Sequence, residues 1–328
     1  MQVLVTGGNG FIGSHLTESL LAAGNHVTIV DDLSTGQRSN LSNVITHPRL
    51  KLIHADLGDP KLIHEVCQQV DVVYHLAAAV GVALIAKHPI QTIHRNIYPT
   101  QLLLEELRRI HLTGRPVSMF LASTSEVYGK NPKSIWCEND DLVFGATTKP
   151  RWSYGASKAI DEFLALACVR ECQMRIVIGR FFNVAGPRQS GAYGMVLPRF
   201  VEAAMAGRPL IVHDDGLQER CFAHVCDVVG AVTKLMQTES SFGRIYNIGA
   251  DEPISILEMA KRVVAIVNPK ATIQFQSYSQ AYDEDFEDIR RRVPDLTRIR
   301  EAIGYSPTCF LDEIIRDVWS EMKKQAAV

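Results

Sequence analysis

The spacing of apolar residues changes period along the chain, and each change marks an element. Gln2–Thr6 is a β-branched run suited to a buried strand, and glycines at Gly7, Gly8, Gly10 and Gly13 interrupt it. From Ser14 to Ala23 apolar residues recur at helical spacing (Leu16, Leu20, Leu21). After Gly24 the run His26–Val30 reads as a second strand, ending in Asp31 and Asp32. Leu50–His54 and Val70–His75 continue as strands, with a helix beginning near Pro60 between them. Ile97–Ile110 is a Leu-rich helix with Asn96 at its start, Pro116–Ala122 a strand, Tyr154–Val169 a helix and Arg175–Phe181 a sixth strand. Residues 130–150 read as a loop.

Strands alternating with helices predict an α/β fold: a doubly wound parallel sheet of the Rossmann kind, with ligands beyond the carboxyl ends of its strands. Ser123–Glu126 follows one such end. The pattern changes after Phe181. A Gly-rich turn through Gly186 to Gly194 leads to a helix over Pro198–Ala206, then short strands over Leu210–Val212 and Phe222–Val225. A helix over Asp227–Gln237 and a strand over Ile245–Ile248 come next. From Pro253 the chain reads as mostly helical, with an irregular charged stretch from Tyr282 to Asp295. The expected division is a first domain over 1–180 and a smaller α/β lobe over 181–328, with segments near 223–250 returning to the first domain.

At 328 residues and 46% hydrophobic, the chain can bury one large core and a smaller one, as an enzyme-sized globular protein does. A net charge of −2 with interspersed signs gives no basic stripe for nucleic acid, although Arg290, Arg291 and Arg292 form a local cluster that could hold a small anion. No apolar run reaches membrane-spanning length, and a strand beginning at Gln2 leaves no room for a signal peptide, so a cytoplasmic location is expected. Seven scattered cysteines predict neither a disulfide framework nor a metal site; Cys168 and Cys172 share a helix face as two buried thiols.

The candidate chemistry begins at the first turn. Gly7 permits a tight turn, Gly10 lets backbone approach a pyrophosphate, and Gly13 allows close packing of helix on strand, so Gly10, Phe11, Ile12 and Gly13 face the phosphates at a helix N-terminus. Asp31, with Asp32 beside it, lies where a carboxylate bonds the adenosine ribose and repels a 2′-phosphate. The expected cofactor is therefore NAD rather than NADP. Asp56, followed by Leu57, either meets the adenine amine or caps the next helix. The small residues around Leu76, Ala77 and Ala78 suit backbone lying against a cofactor. Tyr154 and Lys158 share a helix face, and an ammonium beside an oxidised nicotinamide favours the phenolate of such a tyrosine, making it a general base for an alcohol. Ser123 and Thr124 supply hydroxyls that could share the proton. His75 and His224, near strand ends, read as packed residues; Trp136 and Trp152, flanking the 130–150 loop, either lie over a substrate or simply pack.

These features together resemble an extended short-chain dehydrogenase/reductase acting on nucleotide sugars. The resemblance covers essentially the whole chain, because Phe181–Arg188 and Gln218–Val225 look like that group's nucleotide-sugar segments. It implies that Asn96 and Ser123 belong to the cofactor site with Tyr154 and Lys158. It implies also that Asn183 and Arg220 hold the nucleoside diphosphate, that Arg188 belongs to the substrate site, and that two helices, Ile97–Ile110 and Tyr154–Val169, pair across a homodimer axis. The shared first step is oxidation at sugar C4. Thr124, Ser125 and Glu126 resemble the triplet of UDP-glucuronate decarboxylases and GDP-mannose dehydratases, whereas dTDP-glucose dehydratases carry Asp where this chain has Ser125. The stretch Arg290–Asp295 looks like the segment in which decarboxylases meet the uronate carboxylate with an arginine matching Arg292; a diphosphate or surface acids are the other partners open to Arg292. The implied reaction is decarboxylation of UDP-glucuronate, with 4-epimerisation, 4,6-dehydration and a non-catalytic NAD-binding role as alternatives.

Overall fold

The computed structural model describes residues 1–79, 89–193, 195–278 and 287–326. Residues 282–286 of the expected charged stretch, and Gly194, lie outside them. The chain runs β1 Gln2–Thr6, α1 Phe11–Ala22, β2 His26–Asp31, β3 Leu50–His54, α2 Pro60–Cys67, β4 Val72–His75, α3 Pro89–His111, β5 Ser118–Thr124, α4 Trp152–Cys172 and β6 Arg175–Phe181. It continues through β7 Val184–Ala185, α5 Val196–Met205, β8 Leu210–His213, β9 Glu219–Cys221, β10 Ala223–His224, α6 Val225–Gln237 and β11 Arg244–Ile248. The last elements are β12 Pro253–Ser255, α7 Ile256–Val267, β13 Ile273–Gln276, β14 Arg291–Arg292, α8 Thr297–Ile303 and α9 Leu311–Ala326.

Seven parallel strands form the main sheet in the order β11-β6-β5-β4-β1-β2-β3, and the order reverses beside β1, where a doubly wound sheet opens its ligand crevice. Alternate residues of each strand enter different cores. Val3, Val5, Phe120 and Val177 pack with α1 and α6, whereas Leu4, Met119, Leu121, Ile176 and Ile178 pack with α2, α3 and α4. A third core, built from α5, α7, α9 and β8, belongs to the smaller lobe.

Three expectations need correction. Asn96 does not start a helix: α3 begins at Pro89, and the polar residues before Asn96, together with Pro99 inside the helix, hide its first turns from an apolar-period reading. The segment after Pro253 is less helical than expected, because Ile273–Gln276 pairs in parallel with Leu210–His213. Within the charged stretch, Arg291 and Arg292 form a two-residue strand on Glu219 and Arg220. Local sequence gives no strand signal there, and pairing with β9 supplies it.

Candidate active site and cofactor cradle

One cavity of about 1210 Å³ runs from the β1–α1 turn across the carboxyl ends of β4 and β5 into the smaller lobe. Its first end is built by local chain. Gly7 has φ +70°, and a Cβ there would sit 2.9 Å from the Ala77 nitrogen. Any side chain at Gly13 would fall inside the Gly7 carbonyl. The start of α1, from Gly10 through Phe11 and Ile12, lines the cavity, and no side chain among the described residues caps it. Backbone donors of that kind suit a pyrophosphate. Asp31 is buried and accepts hydrogen bonds from the Asn9 and Leu33 N–H groups at 2.9 and 2.8 Å. Burial raises its carboxyl, and those two donors oppose the rise. Asp32 accepts from the Ser34 N–H and meets Arg95 of α3 at 3.3 Å. Asp56 accepts from the Gly58 N–H, and Asp59, not Asp56, caps α2. Leu57, Leu76, Ala77 and Ala78 line the wall between them. This uncapped helix start, tight glycine turn and distal carboxylate fit NAD.

The floor of the cradle is a buried hydrogen-bonded row. Thr6 Oγ1 lies 2.8 Å from His75 Nδ1 and accepts from the Ala77 N–H, while His75 Nε2 lies 3.0 Å from Thr100 Oγ1. His75 is thus packed and hydrogen-bonded. Asn96 accepts from the Ala79 N–H at 2.8 Å and donates to Ser157 Oγ at 3.1 Å, tying α3 to the loop after β4 and to α4.

Beyond it stand the catalytic candidates. The Thr124 side chain bonds the Tyr154 phenol and accepts from the Glu126 N–H at 3.2 Å. Burial and the nearby Glu126 carboxylate push the Tyr154 phenol well above the ordinary tyrosine range. Lys158 is buried, with Nζ 2.9 Å from Asp161 Oδ2. Ser123 is placed apart from the other hydroxyls: it donates to Glu162 at 2.5 Å, and Glu162 in turn takes Arg180 at 2.6 Å.

Next to Tyr154 lies a cluster of buried charges drawn from four segments. Arg292 donates to Glu126 Oε1 at 2.5 Å and to Ser125 Oγ at 3.4 Å. Arg151 stands 3.4 Å from Glu126 and 3.5 Å from Asp288, and Arg220 meets Asp288 at 3.0 Å. Tyr278 donates to Asp288 at 2.7 Å. Among the described residues, Arg151, Arg220 and Arg292 stand around Glu126 and Asp288. Burial and the Arg292 charge pull Arg220 down to about 10, against the opposing pull of Asp288 and Glu126. Burial works to raise the Glu126 carboxyl, but Arg292 and Arg151 outweigh it and hold it below the usual range. Asp288 is held low in the same way, with Arg220 as its chief partner against burial.

The remaining expected residues fall as follows. Asn183 lines the cavity and donates to the Cys221 carbonyl at 3.1 Å; Arg188 also lines it but is held on α1, bonded to Ser14 and Glu18. The arginine run is not one anion site, because Arg290 pairs with Asp215 and Arg291 with Glu219, leaving only Arg292 on the cavity. Trp136 is buried against Tyr128 and Phe182, and Trp152 donates to Glu287. His224 is buried and caps α6. Cys168 and Cys172 are only partly buried, and Arg108 donates to Cys172 Sγ. Sequence reasoning missed Arg151, Asp161, Asp288 and Tyr278. Arg151, three residues before Tyr154, was findable as a cation beside the base; Asp288 carries no local signal in its acidic surroundings.

A family model described as GDP-mannose 4,6 dehydratase matches residues 4–318. The chain belongs to this family of nucleotide-sugar enzymes, within the extended short-chain dehydrogenases/reductases. It is 38% identical to the UDP-N-acetyl-alpha-D-glucosaminuronate decarboxylase of Bacillus cytotoxicus over 96% of both chains. Against UDP-glucuronic acid decarboxylase 5 of Arabidopsis thaliana, identity is 33%, over 95% of this chain and 86% of that one. Among solved structures it resembles the UDP-glucuronic acid 4-epimerase of Bacillus cereus in complex with UDP-glucuronic acid and NAD, with a TM-score of 0.88 and 28% identity over 99% of this chain and all of that one. The enzyme is an NAD-dependent nucleotide-sugar enzyme. None of its helices, among the described residues, is long and apolar enough to cross a membrane.

Proposed function

We propose that the enzyme decarboxylates a UDP-linked hexuronate, UDP-glucuronate first among them. The observation that carries this reading is the convergence of Arg151, Arg220 and Arg292, from three separate segments, on the cavity wall beside Tyr154. A nucleoside diphosphate accounts for one guanidinium, here Arg220, and a uronate carboxylate for the face of Arg292 turned to the cavity. The named decarboxylases among its relatives support the same choice.

NAD, when bound, supplies the two-electron acceptor for C4. Tyr154 takes the C4 hydroxyl proton, with Thr124 bridging phenol and sugar hydroxyl. A 4-keto uronate is a β-keto acid and loses carbon dioxide readily. Arg292 keeps the carboxylate ionised and oriented until it departs, and C5 then needs a proton. Glu126 is held as the carboxylate, so it orients a water for that step rather than giving a proton of its own. Asn183 and Arg188 bound the nucleotide path on the smaller-lobe side.

The same observation about Glu126 favours a second reading. With no protonated acid beside C5, return of hydride to the other face of C4 gives 4-epimerisation, the named activity of the structural relative. Incubation with NAD and UDP-glucuronate separates the two. Trapped carbon dioxide and a UDP-pentose support decarboxylation; UDP-galacturonate without carbon dioxide replaces it with epimerisation. Carbon dioxide from the 2-acetamido uronate alone moves the substrate assignment to that sugar.

We further propose a homodimer and a cytoplasmic location. Ile93 on α3 and Ile160 and Phe163 on α4 are exposed apolar residues on helices that pack together, a surface suited to a four-helix interface. All seven cysteines are free, in keeping with a reducing compartment.

A further inference from the structure

Asp161 has no part in the reaction described above, yet it is the most deeply buried carboxylate near it, with no exposed surface. It sits one turn beyond Lys158 on α4, and its Oδ2 is 2.9 Å from the ammonium. Its other oxygen, Oδ1, is buried with no hydrogen-bond partner among the described residues. Thr100 lies beside it, but the single Thr100 proton goes to the Asn96 carbonyl at 2.8 Å. Among the described residues, Lys158 is therefore the one strong partner of this carboxylate, and the carboxylate the strong partner of Lys158. A lone ammonium one helical turn from Tyr154 would favour the phenolate, but an ammonium with a carboxylate at contact distance acts on the phenol only as a dipole.

We propose that Asp161 is a positioning residue that claims the charge of Lys158, keeping Tyr154 protonated in the empty site so that the base forms only when the positively charged cofactor arrives. The inference rests on Tyr154 as the base of the proposed reaction, whichever fate the 4-keto sugar meets. The other charges around these groups act consistently with it. Tyr154 faces Glu126 and Asp161, which disfavour its phenolate, and Arg292, which favours it. Asp161 faces Lys158 and Glu162, and His75, beside Lys158, is uncharged in the fold. The consequence is that proton removal is tied to occupancy by the cofactor rather than provided by Lys158 alone.

The test compares wild type with Asp161→Asn, which keeps the size of the side chain and discards its charge. Phenolate absorbance of the cofactor-free full chain, taken as the difference from Tyr154→Phe, is titrated with pH, and kcat/KM of the NAD-loaded enzyme is profiled over the same range. The wild-type phenol should ionise above the ordinary value of roughly 10. In Asp161→Asn both that transition and the acidic limb of kcat/KM should move down by about one pH unit or more. A wild-type transition at or below the ordinary value overturns the proposal, as does an Asp161→Asn limb that stays in place or moves up, the latter meaning that Lys158 discharged instead. Should Asp161→Asn fail to fold, Asp161→Ser takes its place as the uncharged variant and is read by the same two shifts. Near wild-type turnover in Tyr154→Phe would defeat the base assignment itself; a dead Tyr154→Phe with an unmoved Asp161→Asn limb defeats only the role of Asp161.

Discussion

The two ends of the cavity are built on opposite plans. The charge-recognising part of the cofactor end is made by one continuous stretch, Gln2–Leu33, and works through backbone: a helix start, a tight turn and a carboxylate whose own lone pairs are steadied by the Asn9 and Leu33 N–H groups. The sugar end uses formal charges from Glu126, Arg151, Arg220, Asp288 and Arg292, which lie far apart in sequence and meet only in the fold. Backbone recognition is nearly complete before ligand arrives, because helix dipoles and N–H groups need no counter-ion. Buried guanidiniums do need one, and Glu126 and Asp288 supply it to Arg292 and Arg220 at the cavity wall. The first end therefore gives affinity for a ligand common to many enzymes, and the second holds the discrimination among sugars.

The sharpest way to test this contrast is Tyr154→Phe, at the seam between the ends. Turnover should fall by about 10²–10⁴ with NAD affinity unchanged by calorimetry, since ring packing remains and only the proton acceptor is lost. Loss of NAD binding together with turnover would mean that the ends are not separable. Next in size is Arg292→Lys, which keeps the charge and discards the planar two-point contact. Carbon dioxide release from UDP-glucuronate should fall about 10–100-fold, matching one charge-assisted hydrogen bond of roughly 1.5–3 kcal/mol, again without change in NAD affinity.

The converse probe is Gly13→Ala. Its Cβ has no room against the Gly7 carbonyl, so about 1–3 kcal/mol of stability should go in denaturant melts. NAD affinity should fall with it, while binding of a UDP-sugar to the cofactor-free protein is kept. Equal loss at both ligands would show that the turn braces the whole cavity.

The smallest effect per unit of pH comes from the cradle floor. Burial, with Lys158 nearby, lowers His75 from 6.5 to about 3. The unfolded chain takes up this proton near 6.5 and the folded chain does not, so stability is full above that pH and drains as pH falls toward about 3. His75→Gln should flatten the acid limb of the stability curve by up to about 1.4 kcal/mol per pH unit. An unchanged slope between pH 4 and 6 would mean that His75 is protonated in the fold.

The sequence by itself determined the doubly wound sheet, the glycine turn, Asp31 and the Tyr154–Lys158 pair. Each is a short-range pattern: strand period, helix spacing or fixed offset within one βαβ unit, where neighbours in sequence are neighbours in space. It also exposed Glu126 and Arg292 as chemistry-bearing residues, but not that they touch. That contact depends on Arg292 lying opposite Arg220 in a two-residue strand with no propensity of its own, which forms because β9 offers an edge. The Lys158–Asp161 pair was spelled out at helical spacing, yet only burial on all sides turned an ordinary surface motif into a matched pair of charges. Tertiary structure decided these points because the strength of an ion pair, and the acidity of the groups in it, is set by what removes water from around it, and no local run of residues carries that information.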